Sequence, residues 1–274
     1  MRKQIHQECL LGLLIGLALI GPSAQAESVR WKAGAGLATF HLADYRGSDE
    51  YNSTAYPFPF VVIRSPLIRA DDDGVRGLLF ESVAVEFTFS GSASLNTEAD
   101  NNRARQGMPK LDPTFEFGPA LDINLSGDSL SRGWALTLPV RGVYTFSSDG
   151  IEHIGNLFNP KLSYRNLALG PDWKLDWAIG WIYADQEFHR YYYSVEPRFA
   201  RQGRPEYAAK KGDSGFSSEI SIGRYHNRFW YGAYLRYDHL SGAVFNNSPL
   251  LETDHYFDVG FGVAWIFGQS EPPP

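Results

Sequence analysis

The chain has 274 residues, is rich in Gly, Tyr, Phe and Trp, and carries a formal charge of −6. That mild acidity comes without any block of Lys and Arg, so the clustered cations that phosphate binding needs are missing and no nucleic acid is expected as a partner. High aromatic content with no long apolar run after residue 26 leaves two classes, a soluble all-β domain or a membrane β-barrel.

Residues 1–26 read as a cleavable signal peptide. Arg2 and Lys3 give a positive start, residues 10–20 are apolar, and Ala24-Gln25-Ala26 supplies a small-x-small cleavage pattern that makes Glu27 the first mature residue. The apolar run is shorter than the roughly 20 residues of a spanning helix, although an uncleaved anchor is the rival reading. Cys9 precedes the apolar core, which does not fit a lipoprotein, and its loss with the leader leaves no cysteine for disulfides. Export follows.

Period-2 alternation dominates what remains. Strands are predicted at 29–40, 54–65, 76–90, 113–125, 132–146, 154–168, 172–187, 215–225, 229–241 and 254–267. In the seventh, Trp173, Leu175, Trp177, Ile179, Trp181 and Tyr183 alternate with Lys174, Asp176, Ala178, Gly180, Ile182 and Ala184. A similar split of bulky apolar against small or charged residues recurs at 115–125, 134–146 and 83–90. Residues 173–183 cover ten steps, which at a tilt near 40° rise about 26 Å, close to the apolar band of a membrane barrel. A sandwich strand is typically half as long. The membrane barrel is therefore preferred.

Ten strands are expected, an even number with both termini in the periplasm. A further hairpin in segment 65–75 would make twelve. Short links at 126–131, 169–171 and 226–228 fall at one end, and long ones at 91–112 and 188–214 at the other. In the last strand Phe257, Val259, Phe261, Val263, Trp265 and Phe267 alternate with Asp258, Gly260, Gly262, Ala264 and Ile266, resembling the C-terminal β-signal read by the outer-membrane assembly machinery. The aromatic should end the chain, so 268–274 are expected to form a disordered periplasmic tail. The domain layout is thus a leader at 1–26, a barrel at 27–267 surrounded by outer-membrane lipid, and that tail.

Several segments resemble one family. Gly34-Ala35-Gly36-Leu37 in the first strand precedes Asp44, Tyr45, Arg46, Gly47, Ser48, Asp49, Glu50 and Tyr51. Tyr56-Pro57-Phe58-Pro59-Phe60, Arg204-Pro205-Glu206-Tyr207, Arg236-Tyr237-Asp238-His239-Leu240-Ser241-Gly242-Ala243 and Ser248-Pro249-Leu250 follow. Together they resemble the MipA/OmpV family of Gram-negative outer-membrane proteins over about residues 29–267. The family name, MltA-interacting protein, implies a non-enzymatic scaffold in the cell envelope that bridges a lytic transglycosylase and a penicillin-binding protein during peptidoglycan remodelling. Other members resemble adhesins or permeability proteins, and no catalytic residues carry over.

The remaining motifs each have a bland reading beside the sharp one. Residues 44–51 would form either a plug or partner surface, or a solvated loop turning at Gly47. Asp71-Asp72-Asp73-Gly74 offers carboxylates to a hard cation but reads more simply as an acidic turn, so no metal is expected. Lys32, Glu86, Glu116, Asp122, Arg141, Lys174, Asp176, Glu219, Arg236, Asp238 and Asp258 are placed on the lumen side. There they would pair across a narrow interior or line a solute channel, the leading alternative function. Gly34-Ala35-Gly36 lacks the third glycine and helix of a dinucleotide fingerprint, and no cofactor is expected. It would instead let the first strand close on the last. His239, Ser241 and Glu252 are similar to the His-x-Ser and distant Glu of lipid A 3-O-deacylases, which would make them base, nucleophile and orienting carboxylate. Gly242 stands where that family has Asn, and Ser-Gly is also ordinary loop chemistry. His153 and His189 are read as residues of the membrane interface.

Overall fold

The computed structural model describes residues 29–71, 74–94, 102–126, 129–148, 150–170 and 172–270. The leader, Asp72 and Asp73 of the acidic turn, and residues 271–274 lie outside them.

The strands run β1 Arg30–Ala43, β2 Tyr51–Arg64, β3 Ile68–Asp71, β4 Gly74–Glu81, β5 Val85–Ser94, β6 Thr114–Asn124, β7 Gly133–Ser147, β8 Gly150–Phe158, β9 Lys161–Ala168, β10 Trp173–Ala184, β11 Gly212–His226, β12 Phe229–His239 and β13 His255–Gln269. One helix, α1, spans Gln186–Tyr193, and a 3-10 turn covers Pro197–Phe199. All pairings are antiparallel. β1 bonds β2 on one side and β13 on the other, so the sheet closes first strand to last. β10 bonds β11 to complete the ring.

β8 and β9 both lie between β7 and β10 and together form one wall segment, interrupted at Asn159-Pro160 where proline has no N–H for the ladder. The barrel therefore has twelve strands. The expectation of ten is corrected to the twelve held open beside it. Two serine-built turns account for the difference. Ser65 Oγ accepts from the Ile68 amide at 2.9 Å, which starts β3. Ser82 Oγ accepts from Val85 N at 3.0 Å and splits the predicted strand 76–90 into β4 and β5. Side-chain hydroxyls that satisfy local amides compete with the ladder and end strands there.

Side chains sort as lipid contact requires. Leu37, Val140, Phe146, Phe257, Phe261 and Trp265 project outward and are exposed, while Glu86, Thr88, Asp122, Ala135 and Ala264 on the opposite parity are buried inside. Bulky apolar groups exposed on the outside of a closed sheet suit hydrocarbon as solvent. Short links at 65–67, 82–84, 125–132, 169–172 and 227–228 share one end with both termini, and the long links, 95–113, 185–211 and 240–254, share the other.

At the C-terminus the boundary moves. β13 continues to Gln269, and Ser270 N donates to Trp31 O at 2.9 Å, so 268–270 belong to the wall and not to a tail.

Candidate functional site

Four segments from the long-loop end, 44–50, 102–112, 185–211 and 240–254, pack into a cap over the barrel. Its apolar centre contains Tyr45, Leu111, Phe188, Tyr192, Tyr193, Leu240, Ala243 and Phe245. Tyr193 stacks on Phe245 with centroids 3.7 Å apart and rings 6° from parallel. Both rings are essentially removed from solvent, as are Leu240 and Leu250.

α1 supplies much of this core. Asp185 is its N-cap, accepting from Phe188 N at 2.9 Å through Oδ1, while Oδ2 accepts from the backbone and side chain of Asn156, each at 2.8 Å. The helix rests on Gly155, whose φ of +135° and lack of Cβ let the Phe188 backbone approach. The predicted strand 172–187 thus ends at Ala184, and the helix capped by Asp185 takes the place of its last residues and of the start of the predicted link 188–214.

The segment 44–51 is inside this assembly and is not a solvated loop. Asp44, Tyr45 and Ser48 are buried. Tyr45 Oη donates to Leu250 O at 2.6 Å, and Arg46 donates to Ser214 O at 3.1 Å. The carbonyl of Gly47 accepts from Glu252 N at 2.8 Å and Thr253 N at 3.0 Å. Asn102 donates to Asp44 at 3.1 Å and to Ser48 Oγ at 2.9 Å. Tyr51 is at the wall, stacked on His41.

The buried charge centre is Asp238. Its carboxylate is fully enclosed and accepts from Arg46 at 2.7 Å and from Arg236 at 2.5 Å. One carboxylate thus serves two guanidinium groups, a loop cation and a wall cation. Asp258 accepts from Ala43 N at 2.9 Å nearby.

His189 is corrected from an interfacial residue to a core residue of the cap. Lys210 O lies 2.6 Å from Nδ1, which therefore carries the proton, so Nε2 accepts from Ser214 Oγ at 2.5 Å. Burial holds this imidazole below the ordinary histidine pKa, with the Lys210 carbonyl working the other way. A hydroxyl beside an oriented imidazole is the arrangement of an activated nucleophile. Both residues are fully enclosed by protein, however, so the pair is a brace. Burial likewise raises the Tyr45 and Tyr193 hydroxyls above the usual phenol range.

The proposed catalytic set is not assembled. His239 is exposed at the end of β12, opposite His255, and Ser241 is exposed in the following turn. Glu252 instead accepts from Ser48 Oγ at 3.1 Å. Its pKa is raised by burial, with Asp49 adding to the effect. Asp49, Glu50 and Glu252 converge closely enough to suggest a cation site, but Arg103 fills that role, 2.8 Å from Asp49, 2.5 Å from Glu50 and 3.8 Å from Glu252.

The inner wall has two characters. Across β3–β9 charges meet: Arg69 with Glu86 at 2.6 Å and with Glu81, Arg165 with Asp122 at 3.0 Å, and Arg141 with Glu116 at 3.5 Å. Asp176 accepts from Asn166 N at 2.5 Å. Glu219 is in register with Arg236, and Lys174 sits exposed near the turn end. Toward the turn end of β11, β12, β13, β1 and β2 the wall is aromatic. Phe60 packs on Trp230 at 5.3 Å and on Tyr225 at 6.4 Å, Phe58 lies edge-on to Trp230, and Lys32 Nζ stands 3.7 Å over the Tyr225 ring. The sequence reading, which assigned charge to the lumen and bulk to lipid, missed this half. The glycines of β1 and β13 were the available signal. A Cβ on Gly36 would meet the Phe58 ring at 2.6 Å, and one on Gly262 would meet Trp230 at 3.2 Å.

Against known proteins, a family model described as MltA-interacting protein MipA matches residues 35–267. No curated protein matches the chain. Among solved structures it is similar to the crystal structure of Pseudomonas aeruginosa OccK2 (OpdF), at 12% identity and a TM-score of 0.25 over 81% of this chain and 71% of that one.

Proposed function

This chain belongs to the MipA family, and from that premise we propose that it is an exported, non-enzymatic scaffold of the outer membrane that holds peptidoglycan-remodelling enzymes, a lytic transglycosylase and a penicillin-binding protein, at the periplasmic face. The observation that carries the reading is how differently the two ends use their side chains. The long loops are consumed in packing against one another over the lumen, and Asp238, Arg46 and His189 are all engaged inside that packing. The turn end instead presents Leu67, Val83, Leu125 and Leu169, all exposed, at the tips of four separate links. Exposed apolar groups ringed by polar turns are the usual material of a protein contact.

Recovery of partners from gently solubilised envelopes tests this. Wild-type protein is expected to bring down a transglycosylase or a peptidoglycan synthase. The double variant Leu67→Asp with Val83→Asp is expected to lose it while keeping a heat-modifiable barrel band on gels. Recovery of neither enzyme with the wild type would count strongly against the scaffold.

A further inference from the structure

The wall is not equally tall all round. β2 pairs with β1 along its whole length, residues 51–64 against 30–43. On its other side it pairs with β3 only at Ile63 and Arg64. β3 has four residues, and β4 joins β5 no higher than Val75 opposite Gly91. Among the described residues, then, positions 51–62 of β2 have a ladder partner on one side alone. They leave a notch between β2 and β5, with an edge of roughly 35 Å along the strand.

Which backbone groups face that notch follows from parity. Ser65 N bonds to Ile68 O, so odd-numbered residues of β2 turn N–H and C=O away from β1. Trp31 bonds to Ser270 with both its N–H and its C=O. Odd positions of β1 therefore face β13 and even positions face even positions of β2, which gives the same answer. The notch-facing positions are Ser53, Ala55, Pro57, Pro59 and Val61. Unpaired amide donors in hydrocarbon are costly, and prolines have none to leave unpaired.

The β2 flank is apolar inside and out, whereas the β5 flank above Gly91 is short and built of Ser92, Ala93 and Ser94. Leu37 and Val61 are exposed on the outer surface beside the opening. Directly behind it, on the inner face of the same strand, stand Phe58 and Phe60 with Trp230 and Tyr225. We propose that the notch is a lateral portal, through which an acyl chain of a bilayer phospholipid passes between β2 and β5 to lie against the inner wall of Phe58, Phe60, Tyr225 and Trp230. A pairing strand from another chain is a poor occupant, because Pro57 and Pro59 deny it two successive donors. A polar solute is a poor one too, because the β2 lip is apolar outside at Val61 and aromatic inside at Phe58 and Phe60. This goes beyond the scaffold reading and does not depend on it.

The full-length protein, refolded into phosphatidylethanolamine–phosphatidylglycerol vesicles doped with a phospholipid bearing a diazirine at the acyl terminus, provides the test. After illumination, peptide mass spectrometry is expected to find adducts on Phe58, Phe60 or Trp230 as well as on outward residues such as Val61 and Phe257. Phe58→Glu should lower inner-wall labelling about tenfold, since it removes apolar contact worth a few methylenes. Phe58→Leu should preserve the labelling, and heat-modifiable mobility shows which variants fold. The wild-type map is decisive by itself. Adducts confined to outward positions would overturn the portal, and so would β2-to-β2 crosslinks showing that a second copy pairs with the edge.

Discussion

The cap and the turn end are built from the same kinds of residue and hold them in opposite ways. In the cap, partners lie far apart in sequence: Arg46 reaches Asp238, Tyr193 Oη donates to Arg46 O at 2.9 Å, and Ser248 Oγ donates to Tyr193 O at 2.7 Å. At the turn end the links are set by local bonds, as in Ser65 to Ile68 and Ser82 to Val85. Those bonds set the register and leave the tip side chains free, whereas the cap buries its polar groups in long-range bonds that close one end. The comparison makes the cap sensitive to single substitutions and the turn end tolerant of them.

The largest effect is expected at Asp238. Asp238→Ala leaves two half-buried guanidinium groups without their buried carboxylate. Breaking a fully buried ion pair from one side costs about 3–5 kcal/mol, and the partial exposure of both arginines makes that the upper bound here. Hydrogen exchange of the α1 amides should accelerate by a factor corresponding to that loss, while strand amides in β5–β7 stay protected. Equal loss of protection in both places would mean that cap and wall open as one unit, and the contrast would collapse.

Tyr193→Ala comes next. It removes the stack on Phe245 and the bond to Arg46 O, and truncating a buried aromatic costs about 3–5 kcal/mol, less where loops can settle into the space. Tyr193→Phe keeps the stack and should cost only about 1 kcal/mol, the net value of a single hydrogen bond. The same exchange experiment separates the two.

Such contacts explain what was legible in the sequence and what was not. Strand parity in β10 and β13 was readable because each residue reports its own solvent. Trp173, Ile179 and Tyr183 face outward, as do Phe257 and Trp265. The asymmetry of link lengths was equally readable. The twelve-strand count hung on two serine hydroxyls in turns, a signal too local for periodicity to catch. The cap was hidden for another reason. Residues 44–51 meet positions about 200 residues away, and nothing in their own composition distinguishes that burial from a charged surface loop. The aromatic inner wall was obscured because alternation identifies two faces without saying that both can be apolar, as in Tyr56-Pro57-Phe58-Pro59-Phe60. The helix had a signal that was passed over, since Asp185 followed by Gln186 and Glu187, with Arg190 in the last turn, is a capped helix start.

A smaller, pH-dependent effect sharpens the comparison. His189 has its pKa depressed by burial in the folded cap, so the unfolded cap binds the proton more readily. Its contribution to stability is present above the ordinary histidine value of about 6.5 and is lost as pH falls below it, by at most about 1.4 kcal/mol per pH unit. Exchange of the α1 amides should therefore quicken below that pH after correction for intrinsic rates. His189→Gln, which retains a donor for Lys210 O, should flatten this dependence. A slope unchanged by the substitution would assign the pH response to another group.

The smallest effect on stability is expected at the turn tips. Leu67→Asp and Val83→Asp change residues that are already exposed, and surface substitutions of that kind usually shift stability by no more than about 0.5 kcal/mol. Cap exchange and heat-modifiable mobility should therefore match the wild type. This near-silence gives the comparison its force. If the turn end is a contact surface, its side chains answer to a partner and not to the fold, so capture of a transglycosylase or synthase should fall while every barrel property stays constant. A fall in barrel stability with these substitutions would show instead that the tips are held by the membrane interface, and the exposed leucines and valine would then be anchors in lipid.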